Sequence, residues 1–150
     1  QQDAPYLFDK EDQPTLEYDS AVRTLECTKR AMVMGVWTVW SIFGPKLFES
    51  MVDHVCALAQ DAYEYLNESP DFEPLHVPEC NILCFRYVPG DSLLQKRIRR
   101  KLVEDKKFYI TSTVLDGEHC LRVVFMNPQA TKNDFRELCV EIKRFAFELK

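Results

Sequence analysis

The dipeptide Asp116-Gly117 limits what this chain can fold into more than any other feature. It separates two strand-like runs, 108–115 and 118–126, and Asp-Gly between such runs is among the strongest hairpin signals. The reason is steric: a two-residue type I′ turn needs positive φ at both central positions, which aspartate tolerates and glycine adopts freely. Once the turn is placed, counting outward sets the register. Leu115 faces Glu118, Thr113 faces Cys120, Thr111 faces Arg122 and Tyr109 faces Val124. Cross-strand partners share a face. One face therefore carries Tyr109, Thr111, Thr113, Cys120, Arg122 and Val124, and the other Ile110, Ser112, Val114, Leu121, Val123 and Phe125. The second set reads as the core face. Arg122 projects from mid-strand on the other side. Two readings are open for it: a solvated arginine on the free face of an antiparallel sheet, or an always-charged fork aimed at a carboxylate or phosphate.

The rest of the chain supplies a scaffold for that hairpin. With 150 residues, 46% apolar and 29% charged, it has the size and balance of one globular domain with a core. A formal charge of −5 argues against a nucleic-acid module. No stretch is apolar enough to span a bilayer, and the N-terminus lacks the basic-then-apolar pattern of a signal peptide. Six cysteines include no CxxC pair, and four sit inside apolar periodic stretches, so they read as small buried hydrophobes in a reducing, cytoplasmic setting. The three histidines form no metal spacing with them, and no metal is expected.

In chain order, 1–25 is polar and irregular, with Pro5, Pro14 and an isolated Tyr6-Leu7-Phe8 patch. The stretch 27–43 is nearly all apolar and holds Trp37 and Trp40. A helix apolar on every side is buried on every side, which a lone domain of this size hardly accommodates, so it is expected to pack against a partner domain or subunit. Gly44-Pro45 ends it. An amphipathic helix follows over 46–69, with Phe48, Met51, Val52, Val55, Ala59, Ala62 and Leu66 at helical steps. A short strand interrupted by Pro74 precedes a strand over 81–88 that is apolar on both faces and stops at Pro89-Gly90. Asp91 can cap a helix with Leu94, Ile98 and Leu102 inside. Its outer face, Lys96, Arg97, Arg99, Arg100 and Lys101, lacks interleaved aromatics and reads as solvated surface. After the hairpin, Thr131 and Asp134 form a near relative of the capping box ahead of a helix striped by Phe135, Leu138, Cys139, Ile142, Phe145 and Leu149. The order predicts an α+β layer: a mostly antiparallel sheet of three or four strands with helices on one face, and the Arg122 side left open.

No catalytic constellation is complete. There is no GxSxG, Walker loop, GxGxxG or HExxH, and four glycines leave little for a phosphate cradle. The residues alone describe an α+β module with one conspicuous arginine, an aromatic N-terminal patch and an unusually apolar helix.

A collinear set of motifs goes further. Ala4-Pro5-Tyr6-Leu7-Phe8, the helix CTKRAMVMGVWTVW from Cys27, Pro70-Asp71-Phe72-Glu73, the strand Asn81-Ile82-Leu83-Cys84-Phe85-Arg86-Tyr87-Val88-Pro89, and Leu121-Arg122-Val123-Val124 with Asn127-Pro128 and Ala130-Thr131 stand in this order. Together they resemble the C-terminal part of the pyridoxal-phosphate-dependent amino-acid decarboxylases of the glutamate, aromatic-amino-acid and diaminobutyrate type. The resemblance implies a fold-type I enzyme, with 1–26 a mobile catalytic loop and connecting segment, 27–45 a helix linking large and small domains, and 46–150 the small domain. It implies that Tyr6 is the loop tyrosine that gives a proton to the substrate carbon after carbon dioxide leaves, and that Arg122 binds a substrate carboxylate. It also implies a homodimer, with the helix from Cys27 near its interface.

Two departures stand out. Met32 and Gly35 occupy positions where many relatives carry an acid and a lysine. The family's cofactor lysine follows a histidine, and the chain has no His-Lys pair, so the Schiff-base lysine and the aspartate for the pyridine nitrogen are expected upstream of Gln1. Most of the contacts to pyridoxal 5′-phosphate would then come from an upstream large domain, and this chain alone is expected to be inactive. The competing expectation is a non-catalytic interaction module that uses the 27–43 helix as a partner surface.

Overall fold

The computed structural model describes residues 31–149. The chain divides into two units, Gln1–Pro45 and Lys46–Lys150. In the first, helix α1 (Met32–Phe43) has Ala31 at its N-cap, and Gly44 closes it with φ 70° and a backbone N–H donated to the Trp40 carbonyl. None of its residues is buried: Met32, Val33, Trp37, Ile42 and Phe43 are all more than 60% exposed. The all-round burial expected from its composition is therefore not met within this chain. Residues 27–30 of the anticipated helix lie outside the described residues.

The second unit runs α2 (Pro45–Asn67), β1 (Phe72–Pro74), β2 (Ile82–Tyr87), α3 (Ser92–Asp105), β3 (Thr111–Leu115), β4 (Glu118–Val124) and α4 (Lys132–Glu148). Pro45 opens α2 because its missing N–H is one that a first turn leaves unpaired anyway. The four strands are antiparallel in the order β1-β2-β4-β3, and all three helices contribute to a single core against one sheet face. The sheet side of that core is Phe72, Leu83, Phe85, Tyr87, Leu121, Val123 and Phe125. Phe85, Leu121, Ile98, Leu66 and Ile142 are fully enclosed. Phe135 of α4 makes edge or tilted contacts with Phe85 and Phe125, centroids 6.0 and 5.7 Å apart, which ties the last helix to the middle of the sheet.

The hairpin forms in the register that the turn demands: Leu115 opposite Glu118, Thr113 opposite Cys120, Thr111 opposite Arg122. Asp116 and Gly117 hold φ 53° and 81°, the positive pair of a type I′ turn. Two expectations fail at the edge. The ladder stops at Thr111, so Tyr109 does not pair with Val124 and stands 77% exposed. Ser112 and Val114, on the nominal core side, are exposed, because β3 is the outermost strand and the helix layer stops short of its turn end.

Candidate functional site

The sheet face opposite the core is set by the pairing of β2 with β4, which the chain closes only after passing through α3. Cys84 lies opposite Arg122, Leu83 opposite Val123 and Phe85 opposite Leu121. Because side chains alternate, Leu83, Phe85, Leu121 and Val123 turn into the core while Cys84, Arg86, Cys120 and Arg122 share the opposite face, away from the core that α2, α3 and α4 build. On the far side, β1 places Glu73 opposite Arg86. Thr111 and Thr113 complete the face from β3.

Arg122 sits on the outward face, as the turn register requires, and it is half-buried rather than fully solvated. Its backbone carbonyl accepts a hydrogen bond from Thr111 Oγ1 at 3.1 Å, which pins the strand at this residue. Among the described residues its guanidinium has no hydrogen bond and no ion pair. Its electrostatic neighbour is Cys84: burial pushes that thiol above its ordinary value, and Arg122 pulls it partly back. Cys120, fully buried, behaves likewise, raised first by burial and eased last by Arg86. Both thiols therefore stay protonated at neutral pH. They form an uncharged floor between two cations, and a neutral floor does not neutralise either guanidinium. Cys120 Sγ donates to the Thr113 carbonyl at 3.7 Å, and the Cys84 backbone N–H donates to His76 Nε2 at 3.1 Å, so both positions are tied down.

Arg86 is the residue that sequence reasoning passed over. Its Nε is buried and has no hydrogen-bond partner, and the nearest acid, Glu73, lies 3.7 Å away, within ion-pair reach but beyond hydrogen-bond length. Its signal was its parity with Cys84 on β2. That parity acquires meaning only when β2 is known to pair with β4. Tyr6, the other expected site residue, lies outside the described residues, as does the whole 1–26 segment. No cluster of metal-ligating side chains occurs among the described residues.

A face with two forked cations and few acids suits an anionic group. It does not suit a pyridine ring that needs a carboxylate at its nitrogen: Glu73 belongs to Arg86.

Comparison with known proteins places the chain in a family. Residues 1–88 match the model of the pyridoxal-dependent decarboxylase conserved domain. An aromatic-L-amino-acid decarboxylase of Bacillus atrophaeus is 22% identical over 151 residues, covering 96% of this chain and 32% of that protein. Among solved structures, the glutamate decarboxylase domain of the diaminobutyrate-pyruvate transaminase and L-2,4-diaminobutyrate decarboxylase of Vibrio parahaemolyticus superposes with a TM-score of 0.75 at 27% identity, over 81% of this chain and 27% of that one. Mouse CSAD in its apo form shares the fold with a TM-score of 0.75 at 19% identity, over 97% of this chain and 32% of that one. The α+β layer is thus that of a fold-type I domain, and the chain spans about a third of the length of these relatives. With more than half of its residues matched by the family model, the chain belongs to the pyridoxal-dependent decarboxylases.

Proposed function

We propose that this chain is the C-terminal part of a pyridoxal-phosphate-dependent decarboxylase that releases carbon dioxide from an L-amino acid. In this reading Arg122 anchors a substrate carboxylate and Tyr6 supplies a proton. The observation that carries it is Arg122 itself: a half-buried fork on the free sheet face, without a partner among the described residues, in a chain of this family. A guanidinium suits the task because its planar donors match both oxygens of a carboxylate, whereas a lysine offers a point charge.

When bound, pyridoxal phosphate draws electrons from the bond to the departing carboxylate. This chain's residues have other tasks. Arg122 orients the substrate on a sheet face held rigid by the core behind it. The neutral thiols of Cys84 and Cys120 leave its charge uncompensated. Tyr6 carries the phenolic proton assigned to carbon, a transfer that needs water kept out. The cofactor lysine is assigned to a segment upstream of this chain, since no His-Lys pair occurs in it. The exposed apolar surface of α1 supports a partner there, either the large domain or a second subunit of a homodimer, in a cytoplasmic enzyme.

The test uses the full-length enzyme. Arg122→Lys is expected to lower kcat/KM by about tenfold or more, the scale of a lost charge-assisted contact, and an unchanged enzyme would return Arg122 to the solvated surface. Tyr6→Phe is expected to impair protonation at carbon while cofactor absorbance is retained; normal turnover would remove Tyr6 from the mechanism.

A further inference from the structure

We propose that the outer edge of β3 and the row of cations on α3 beside it form a docking site for an extended acidic segment of a partner protein. The segment adds to the sheet as a further strand.

The edge follows from the hairpin. A two-residue turn makes Leu115 and Glu118 a hydrogen-bonded pair, so Thr113 and Thr111 also pair through their backbones with Cys120 and Arg122. The alternate residues, Ile110, Ser112 and Val114, therefore turn their N–H and C=O groups away from β4, toward the outside of the sheet. Arg99 fixes where α3 lies along that edge, because its Nε donates to the outward Ile110 carbonyl at 3.3 Å. Ser112 and Val114 come next along the edge. Both are exposed, and no strand among the described residues pairs with that side of β3. Such an edge is a template for another strand. The opposite edge of the sheet is different: β1 has three residues and ends in Pro74, which blunts it, whereas Thr111–Leu115 carries neither a proline nor a charge.

α3 supplies the charge. Ser92 and Arg99 both reach the hairpin, Ser92 Oγ accepting the His119 N–H at 2.8 Å and Arg99 donating to Ile110. Lys96 stands four residues after the first and three before the second, so it shares their side of the helix and lies between the two anchors, alongside β3. Arg100 is one turn beyond Lys96. Lys96, Arg97 and Arg100 are exposed and have no hydrogen bond or ion pair among the described residues. The acids of α3, Glu104 and Asp105, stand at its far end and face Lys101 and Arg144. Lys96 adjoins Arg99 and Arg100 at three- and four-residue steps, and Arg97 adjoins Arg100 and Lys101. Like charges at these steps repel, where an ordinary exposed helix interleaves acids. An anionic partner relieves that repulsion.

The two features together select the occupant. A nucleic acid or a lipid surface uses the cations and leaves the strand edge idle. A second copy uses the edge but opposes the charge: antiparallel pairing of two β3 edges sets both α3 rows on one side of the joined sheet, cation against cation. An extended acidic peptide uses both, through main-chain hydrogen bonds to Ser112 and Val114 and alternate carboxylates toward Lys96 and Arg100.

Fluorescence anisotropy of the full-length enzyme with a labelled peptide of alternating glutamate and valine, about eight residues long, tests this. Saturable binding is expected. It should weaken about tenfold or more in Lys96→Glu/Arg100→Glu, and equally in Ser112→Pro, which removes an outward N–H and is tolerated on an edge strand. Two control peptides, one with lysine for glutamate and one acidic but N-methylated at every residue, are expected to bind about tenfold more weakly or not at all. No binding of the acidic peptide, or equal binding of either control, overturns the proposal. Binding to anionic phospholipid vesicles or duplex DNA but not to the peptide overturns it too, as does self-association that Ser112→Pro abolishes. If Ser112→Pro is unfolded by circular dichroism, the N-methylated peptide still tests the edge.

Discussion

Gln95 is the buried polar residue of the core, fully enclosed and satisfied at both ends. Its Oε1 accepts the Tyr87 N–H at 3.1 Å and its Nε2 donates to the Tyr87 carbonyl at 2.9 Å. The pairing of β2 with β4 runs only to Phe85 opposite Leu121, so Tyr87 has passed the end of the ladder and its backbone groups need another partner. One turn earlier in α3, Ser92 Oγ accepts the His119 N–H at 2.8 Å on the other diverging strand. The first turn of α3 thus closes the gap where β2 and β4 separate, beside the strand that carries Arg86. Gln95→Leu keeps the volume and removes both hydrogen bonds. It is expected to cost about 1–3 kcal/mol, since the Tyr87 N–H loses its acceptor while the Tyr87 carbonyl keeps the Gly90 N–H at 3.2 Å. Urea unfolding of the variant measures this; a loss within experimental error would mean that water replaces the amide. Nothing in the sequence marks Gln95 as different from any polar residue near a helix start, because its partner is a backbone group that only the sheet brings there.

At the scale of elements, the local signals in the chain are read out faithfully. Asp91 Oδ1 accepts the Leu94 N–H at 2.7 Å at the start of α3. Thr131 and Asp134 form a complete capping box, with the Asp134 carboxylate accepting the Thr131 N–H at 2.7 Å. These hydrogen bonds, from the Thr131 side chain first and then its backbone, hold the Asp134 carboxyl below its ordinary value of 3.8. A carboxyl held lower in the folded state than in the unfolded one adds stability above the unfolded value, and this is lost as pH falls through the folded value. Thr131→Ala is therefore expected to cost about 1 kcal/mol at neutral pH. The difference from wild type should shrink in strong acid, where Asp134 is protonated in both proteins. Paired denaturation curves at the two pH values check it, and an equal difference at both would uncouple the carboxyl from the cap. In α1, Met32, Trp37 and Phe43 stand exposed in this chain. Its residues form the helix their composition favours, yet composition cannot say what covers them.

For the whole molecule, the proposed function assigns most of the cofactor contacts to a segment other than this chain. The 150-residue chain purified alone is expected to show no absorption from bound pyridoxal phosphate, whereas the full-length enzyme should show it. Stoichiometric cofactor binding by the chain alone would place the cofactor lysine within it. What the sequence by itself determined is local: the Asp116-Gly117 turn, the hairpin register, the outward direction of Arg122, the two helix caps, the apolar stripes and the collinear motifs of the family. These follow from steric limits on φ, from the two-residue period of strands and from hydrogen bonds spanning three or four residues, all of which operate between near neighbours in the chain. Only the tertiary structure decided which strand lies beside β4. That pairing joins residues about forty positions apart through an intervening helix, and no short-range rule sets its register. It is this long-range pairing that puts Cys84 against Arg122 and brings Arg86 onto the same face.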